Sequence, residues 1–113
     1  MPFRRGVPTA KKTYGGSEQQ LQNAIITYLQ YRHYWVLRVN SGMIKTEAGG
    51  MVKLAKPGVP DLLCIKYGLA TWIEVKLPGK HSTPIQKARQ DELRAAGCKV
   101  YEIHSLEEIQ QVT

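Results

Sequence analysis

The sequence predicts an α/β domain in which a mixed β-sheet is flanked by α-helices, in the order α-β-β-β-α-β. Three observations predict this fold. An amphipathic helical segment comes first, two apolar strand-like segments joined by a short turn follow, and a capped helix then separates these from another apolar segment. A chain of 113 residues has the length of one domain with one hydrophobic core.

The first helix is predicted to begin after Ser17, which can form a capping box with Gln20. Apolar side chains then follow helical spacing along one face: Leu21, Ala24, Ile25, Tyr28 and Leu29. Glu18 shares that inward face in the first turn. An acid at this position is commonly explained by the helix dipole, and the alternative is an acid directed at a functional site.

The segments on either side of this helix differ in character. Residues 1–16 are basic, contain Pro and Gly and lack periodicity, which predicts a flexible basic arm and leaves residues 17–113 as one domain. Residues 34–40, YWVLRVN, are β-branched and aromatic and predict a strand that ends in a turn. Residues 43–57 hold two adjacent glycines and three lysines, and they form either a short hairpin or a loop.

Two strands are predicted at 61–66, DLLCIK, and 71–76, TWIEVK. The connection between them is so short that they must pair antiparallel. The composition of both strands is apolar, yet each carries charged residues near the end that lies away from the turn.

The second helix is predicted to begin at Thr83-Pro84, with Thr83 as the N-cap and Gln86 completing a capping box. The strand CKVYEI, residues 98–103, follows. Because a single helix connects it to TWIEVK, these two strands are expected to be parallel with a right-handed crossover. A short helix capped by Ser105 and Glu108 completes the predicted order.

Positive charge is concentrated in the first half of the chain. The net charge is +7, and residues 1–60 hold nine basic and two acidic residues, whereas residues 61–113 hold seven of each. Segregated positive charge favours a polyanionic partner, most often nucleic acid. A merely soluble basic protein is the plainer alternative.

The cysteines and the hydropathy predict the compartment. Cys64 and Cys98 lie in apolar segments without the spacing of a metal site, which predicts buried thiols in a reducing environment. No apolar run approaches the roughly 18 residues of a membrane span, and the basic N-terminus lacks the apolar stretch of a secretory signal. These features predict a cytoplasmic protein with no membrane partner.

Charged residues at one end of the paired strands form the candidate site. Trp72, Glu74 and Lys76 share one strand face, because alternate side chains point the same way. Counting back from the turn places Asp61 opposite positions 74–76, so Asp61, Glu74 and Lys76 can converge. Two carboxylates in a partly buried place repel each other unless one is protonated or a cation binds between them.

Such a cluster predicts metal-assisted chemistry. Oxygen ligands select hard cations such as Mg²⁺ or Mn²⁺, and with a basic protein the expected reaction is hydrolysis of phosphodiester bonds. Lys76 would orient or deprotonate the attacking water, or stabilise negative charge in the transition state. The spacing alone is also compatible with a structural ion pair between Lys76 and either Glu74 or Asp61.

The string Pro60-Asp61, twelve residues, then Glu74-Val75-Lys76 resembles the PD-(D/E)XK nuclease pattern. The chain resembles the VRR-NUC branch of that superfamily more closely. The matching pieces occur in the order of that family and extend over nearly all of residues 17–111: SEQQLQNAIITYL, RVNSG, GVPDLL, WIEVK, STPIQKARQDELRAAG and VYEIHSLEE.

The resemblance implies a restriction-endonuclease-like core and a Mg²⁺- or Mn²⁺-dependent DNA endonuclease. Asp61 and Glu74 would bind the metal, with the main-chain carbonyl of Val75 as a further ligand and Glu18 in support, directly or through water. Gln86 matches the glutamine that follows the motif in this family. The implied catalytic set is Asp61, Glu74, Lys76, Glu18 and Gln86.

Members of this family act on DNA, often branched or flapped, and small stand-alone members are similar to phage-borne Holliday-junction resolvases. A homodimer is expected, because symmetric cleavage of a four-way junction needs two centres. The alternatives are a non-catalytic DNA-binding module and a nuclease for RNA or for single-stranded or unbranched nucleic acid. The predicted DNA contacts are Arg38, Asn40, Ser41, Lys45, Lys53 and Lys56.

Overall fold

A computed structural model describes residues 17–39, 43–45, 47–53 and 56–113, with the strands at 43–45 and 51–53 described by their backbone. Three helices and six strands lie within these ranges. In chain order they are α1 (Glu18–Tyr31), β1 (Trp35–Arg38), β2 (Met43–Lys45), β3 (Met51–Lys53), β4 (Leu62–Lys66), β5 (Leu69–Val75), α2 (Pro84–Ala95), β6 (Lys99–Ile103) and α3 (Leu106–Val112).

The main sheet has four strands in the order β1-β4-β5-β6. Strand β4 pairs antiparallel with both β1 and β5, whereas β5 and β6 are parallel. This mixed sheet and the order of its elements confirm the predicted fold class. The strands β2 and β3 form a separate antiparallel hairpin, which resolves the two alternatives left open for this segment.

The turn between β4 and β5 determines the register of that pair. Tyr67 and Gly68 both have positive φ, at 54° and 77°, as in the two-residue turns whose twist matches that of the flanking strands. The resulting register pairs Leu62 with Ile73. One step further along both strands, Asp61 comes opposite Glu74, as the sequence predicts.

The core lies between helices α1 and α3 and one face of the main sheet. Leu21, Ile25 and Leu29 of α1 are fully buried, as the stripe in the sequence predicts. They pack in one cluster with apolar side chains of the sheet and of α3: Leu62, Cys64, Ile73, Val75, Ile103 and Ile109. The face of β5 that carries Ile73 and Val75 is therefore the core face, and the alternate positions project from the other face.

Both longer helices begin at complete capping boxes. Ser17 bonds to the backbone of Gln20, and the Gln20 side chain bonds back to Ser17; Thr83 and Gln86 form the same pair of bonds. These bonds satisfy amide groups that a helix start would otherwise leave unpaired. The second box matters for the site, because it places Gln86 in the first turn of α2.

Both cysteines are free thiols, Cys64 buried and Cys98 half-buried. Burial raises the pKa of the Cys64 thiol to about 11, so it packs as an apolar group. No helix among the described residues is long and apolar enough to cross a membrane.

Candidate active site

Asp61 immediately precedes β4, and hydrogen bonds from two main-chain amides fix its position. Its carbonyl accepts a hydrogen bond from the Val39 amide at 2.7 Å, next to strand β1. Its carboxylate oxygen Oδ2 accepts one from the Val75 amide at 2.8 Å. The preceding Pro60 is fully buried. Asp61 therefore has a defined orientation across the ends of β4 and β5.

Glu74 is the buried carboxylate of the cluster. It lies on the sheet face opposite Ile73 and Val75, and its exposed fraction is 2%. Burial, then the charge of the neighbouring Asp61 carboxylate and a side-chain hydrogen bond with it, raise the pKa of Glu74 to about 8, while Lys76 acts in the opposite direction. Among the residues that the structure describes, Glu74 Oε1 has no hydrogen-bond partner. A buried acceptor without a donor is costly, so this oxygen is suited to a cation.

Glu18 and Lys76 complete the group. Burial raises the pKa of Glu18, the Asp61 carboxylate raises it further, and Lys76 lowers it. Lys76 is half-buried just beyond β5, and its amide donates to the Ile103 carbonyl at 3.0 Å. The first turn of α1 thus brings its acid into the field of the strand-end charges, which the helix-dipole explanation alone does not predict.

Gln86 connects helix α2 to this cluster. Its Oε1 accepts from the Thr83 amide at 2.9 Å within the capping box, and its Nε2 donates to Glu74 Oε2 at 3.5 Å. One side chain therefore caps the helix and holds one oxygen of the buried carboxylate, so the two predicted roles are compatible.

The donor set fits a hard divalent cation. Carboxylate oxygens from Asp61, Glu74 and Glu18 are the ligand type that Mg²⁺ and Mn²⁺ take, and no N–H donor among the described residues occupies Glu74 Oε1. The participation of the Val75 carbonyl stays a prediction.

Of the predicted DNA contacts, two have described side chains. Arg38 donates to Gln22 Oε1 and Asn23 Oδ1, so its guanidinium binds helix α1 to the end of β1. Lys56 lies 3.9 Å from the Glu92 carboxylate in an exposed ion pair. The others lie outside the described residues, or their side chains do: Asn40, Ser41, Lys45 and Lys53. The predicted arm at 1–16 also lies outside them.

A second polar cluster, which no pattern in the sequence predicted, lies on the neighbouring strand. Glu102 of β6 is paired in register with Glu74 of β5, and it contacts His81 and His104. The available signal was the Glu-x-His spacing at the end of an apolar strand, which puts residues 102 and 104 on one face. The third member, His81, comes from a distant loop and carries no local signal.

The mixed sheet and its helices define an α/β domain, and its carboxylates, a lysine and the Gln86 side chain gather at the ends of two adjacent strands. The structure is similar to a solved structure described as "VRR_NUC domain", with a TM-score of 0.64, 19% sequence identity, and coverage of 92% of this chain and 95% of that chain. At this identity the likeness shows the fold, and the chain has the VRR_NUC fold. No protein-family profile and no curated protein match the sequence.

Proposed function

We propose that this protein is a divalent-metal-dependent DNA nuclease of the VRR-NUC family that hydrolyses phosphodiester bonds. The observation that carries the proposal is the Glu74 carboxylate, which is buried beside Asp61 with one oxygen unpartnered among the described residues. Folding brings these two acids together, and their repulsion has an electrostatic cost. A structural ion pair with Lys76 would require only one of the two carboxylates. A cation-binding role explains that cost.

In this proposal the residues of the chain prepare the site before substrate arrives. The Val75 amide orients the Asp61 carboxylate, and Gln86 orients that of Glu74. A bound Mg²⁺ or Mn²⁺ would activate water and neutralise charge on the scissile phosphate. Lys76 then offers a positive charge beside the phosphate, where it orients the attacking water or stabilises the charge that develops.

The substrate assignment rests on charge and on the fold. The net charge of +7 favours a polyanion, and the similar solved structure is described as a VRR_NUC domain. We extend the proposal to branched DNA as the preferred substrate and to a homodimer as the acting form, because a four-way junction cut symmetrically needs two centres.

The test uses Asp61→Ala against a panel of duplex, flap, four-way-junction and single-stranded DNA with added Mg²⁺. We expect cleavage to fall more than about 100-fold, because an oriented carboxylate that would hold the metal ion is lost, while DNA binding persists. The matched control is Asp91→Ala, which removes an exposed acid of α2 that pairs with Arg94. Full activity of Asp61→Ala would refute the mechanism.

The same panel tests the alternatives. A protein that binds DNA but cuts none of the substrates, with or without metal, would be a DNA-binding module on this fold. Cleavage confined to single-stranded DNA would contradict the preference for branched substrates. Cleavage that persists in a chelator would contradict the metal requirement.

A further inference from the structure

Three side chains converge at the carboxyl end of β6, next to but separate from the candidate active site. Glu102 Oε2 lies 3.1 Å from His81 Nδ1 and 3.0 Å from His104 Nε2. All three ligand-type atoms lie within 4.8 Å of one another. They come from two distant segments, the loop before α2 and the end of β6, so their convergence is a property of the fold.

The His104 ring has oxygen acceptors at both of its nitrogens. Its Nδ1 lies 3.1 Å from Glu108 Oε1, and its Nε2 lies 2.9 Å from the Lys80 carbonyl as well as 3.0 Å from Glu102 Oε2. A neutral imidazole has one N–H and one lone pair, so it cannot donate on both sides. With Nδ1–H donated to Glu108, Nε2 faces two oxygen acceptors, and either a second ring proton or a bound metal ion satisfies this arrangement.

Further hydrogen bonds fix the orientation of Glu102 and His104, as is common for the ligands of metal ions. The Ser82 amide and hydroxyl donate to Glu102 Oε1 at 2.8 Å and 2.5 Å, which leaves Oε2 directed at the histidines. Ser82 is buried and accepts a 2.8 Å bond from Gln90 Nε2, itself 5% exposed. Glu108 contacts the other ring nitrogen of His104, and metal-ligating histidines commonly donate that nitrogen's hydrogen to a carboxylate, which orients the ring.

We propose that His81, Glu102 and His104 bind one Zn²⁺ ion, with the Lys80 carbonyl beside it and a position open to water. Two imidazoles and one carboxylate are a zinc ligand set, and tetrahedral ligands at about 2.0 Å from zinc lie about 3.3 Å apart. The present separations of 3.0 Å and 3.1 Å approach that spacing. Nitrogen donors favour Zn²⁺ over Mg²⁺ here, whereas the all-oxygen cluster around Asp61 favours Mg²⁺.

This site ties the loop that leads into α2 to strand β6. The loop residues His81 and Ser82 directly precede Thr83, the cap of the helix that carries Gln86. Glu102 is the register partner of Glu74. The zinc ion therefore supports the geometry around Glu74 without touching the reacting atoms. The proposal stands without the proposed nuclease activity, because metal binding is measured directly.

The experiment measures Zn²⁺ binding by isothermal titration calorimetry to the untagged full chain carrying Asp61→Asn and Glu74→Gln, so that the carboxylate cluster does not compete for the ion. His81→Ala and Glu102→Gln are added singly to this background. His81 is exposed, so its replacement leaves the fold intact. The control is His33→Asn, the remaining histidine of the chain, which Asn can replace at its positive φ of 68°.

The expected result is one Zn²⁺ per chain for the background and for His33→Asn, with affinity at least about tenfold weaker in His81→Ala and Glu102→Gln. A rise in the thermal unfolding midpoint with Zn²⁺ should follow the same pattern. No binding by the background protein, or equal binding by His81→Ala, overturns the proposal. Displacement of Zn²⁺ by equimolar Mg²⁺ also overturns it, because that would exclude ligation by imidazole.

Discussion

At the scale of single residues, the buried Glu74 carboxylate opposes the stability of the fold when it is charged. It is 2% exposed, it lies beside Asp61, and its Oε1 lacks a partner among the described residues. Burial and the Asp61 charge raise its pKa above that of an ordinary glutamate. Between the ordinary glutamate pKa of the unfolded chain and the raised pKa of the folded chain, Glu74 is protonated only in the folded chain. The free energy of unfolding therefore falls as the pH rises through this range.

Replacing Glu74 by Gln should remove this penalty. We expect Glu74→Gln to unfold at a higher temperature than the parent at pH ~9 in chelator, and at nearly the same temperature at pH ~4, where both side chains are neutral. The measurement is thermal unfolding followed by circular dichroism across that range. Glu47→Gln, which alters an exposed acid, is the control and should show no such divergence. A variant less stable than the parent at the high pH would contradict this account.

At the scale of elements, the two capping boxes offer a natural comparison. Gln20 and Gln86 occupy the same position in boxes that begin α1 and α2, and only Gln86 also donates to Glu74 in the described structure. The helix start that stabilises α2 thus also contacts a carboxylate of the candidate site.

We therefore expect Gln20→Ala to cost about 0.5–1 kcal/mol, because it removes one capping bond, and Gln86→Ala to cost somewhat more, because the buried Glu74 carboxylate also loses a donor. Cleavage should fall clearly further in Gln86→Ala, because Glu74 loses its donor. Urea unfolding and cleavage rates of the two variants test this. Equal loss of activity in both would mean that the Glu74 contact has no functional role.

The loop before Asp61 passes too close to α2 for any side chain at Gly58. A Cβ there would lie 2.8 Å from the Ile85 carbonyl oxygen, and Gly58 has a φ of +84°. Gly79 has the same kind of backbone, with φ +85°, but a Cβ there would meet nothing within 4 Å. Substitutions at these two glycines can therefore distinguish the cost of backbone strain from the cost of steric contact.

We expect Gly79→Ala to cost about 1 kcal/mol from the left-handed backbone alone, and Gly58→Ala to cost about 2–4 kcal/mol because the loop must also move away from Ile85. Cleavage should fall with Gly58→Ala, since that loop carries Asp61. Chemical denaturation of both variants gives the difference. Equal losses of stability in the two variants would show that the loop can move away from Ile85 at no energetic cost.

For the whole molecule, charge is distributed unevenly along the chain. All of the net charge of +7 belongs to residues 1–60, and residues 61–113 are neutral in sum. If DNA binding is driven by the basic half, its salt dependence should report how many of those charges meet phosphates.

We expect Arg4→Gln with Arg5→Gln to reduce the slope of log affinity against log salt by about 2, as two fewer phosphate charges are neutralised. The control, Lys87→Gln with Lys99→Gln, alters exposed basic residues of the balanced half and should change the slope less. Fluorescence anisotropy with the Asp61→Ala protein avoids cleavage during the titration. Equal slopes in the two double variants would remove the N-terminal segment from the DNA interface.

Local patterns in the sequence were sufficient for most of the architecture. The capping boxes, the stripe of α1 and the short turn between β4 and β5 involve neighbours in the chain, so spacing alone predicts them. Counting from that turn brings Asp61 opposite positions 74–76, and the alternation of side chains along a strand puts Glu74 and Lys76 on one face. The hairpin of β2 and β3 stayed one of two alternatives, since a glycine- and lysine-rich segment lacks a clear alternation.

Contacts between distant segments could not be predicted in this way. The 2% exposure of Glu74, the bonds from Arg38 to helix α1 and the meeting of His81 with Glu102 and His104 all depend on how the elements pack. Spacing specifies which side chains share a face, because backbone geometry repeats locally. Packing specifies which faces meet and which charged groups are removed from water, because these depend on the whole chain. Tertiary packing thus decides that the acids of these strands form a candidate metal site.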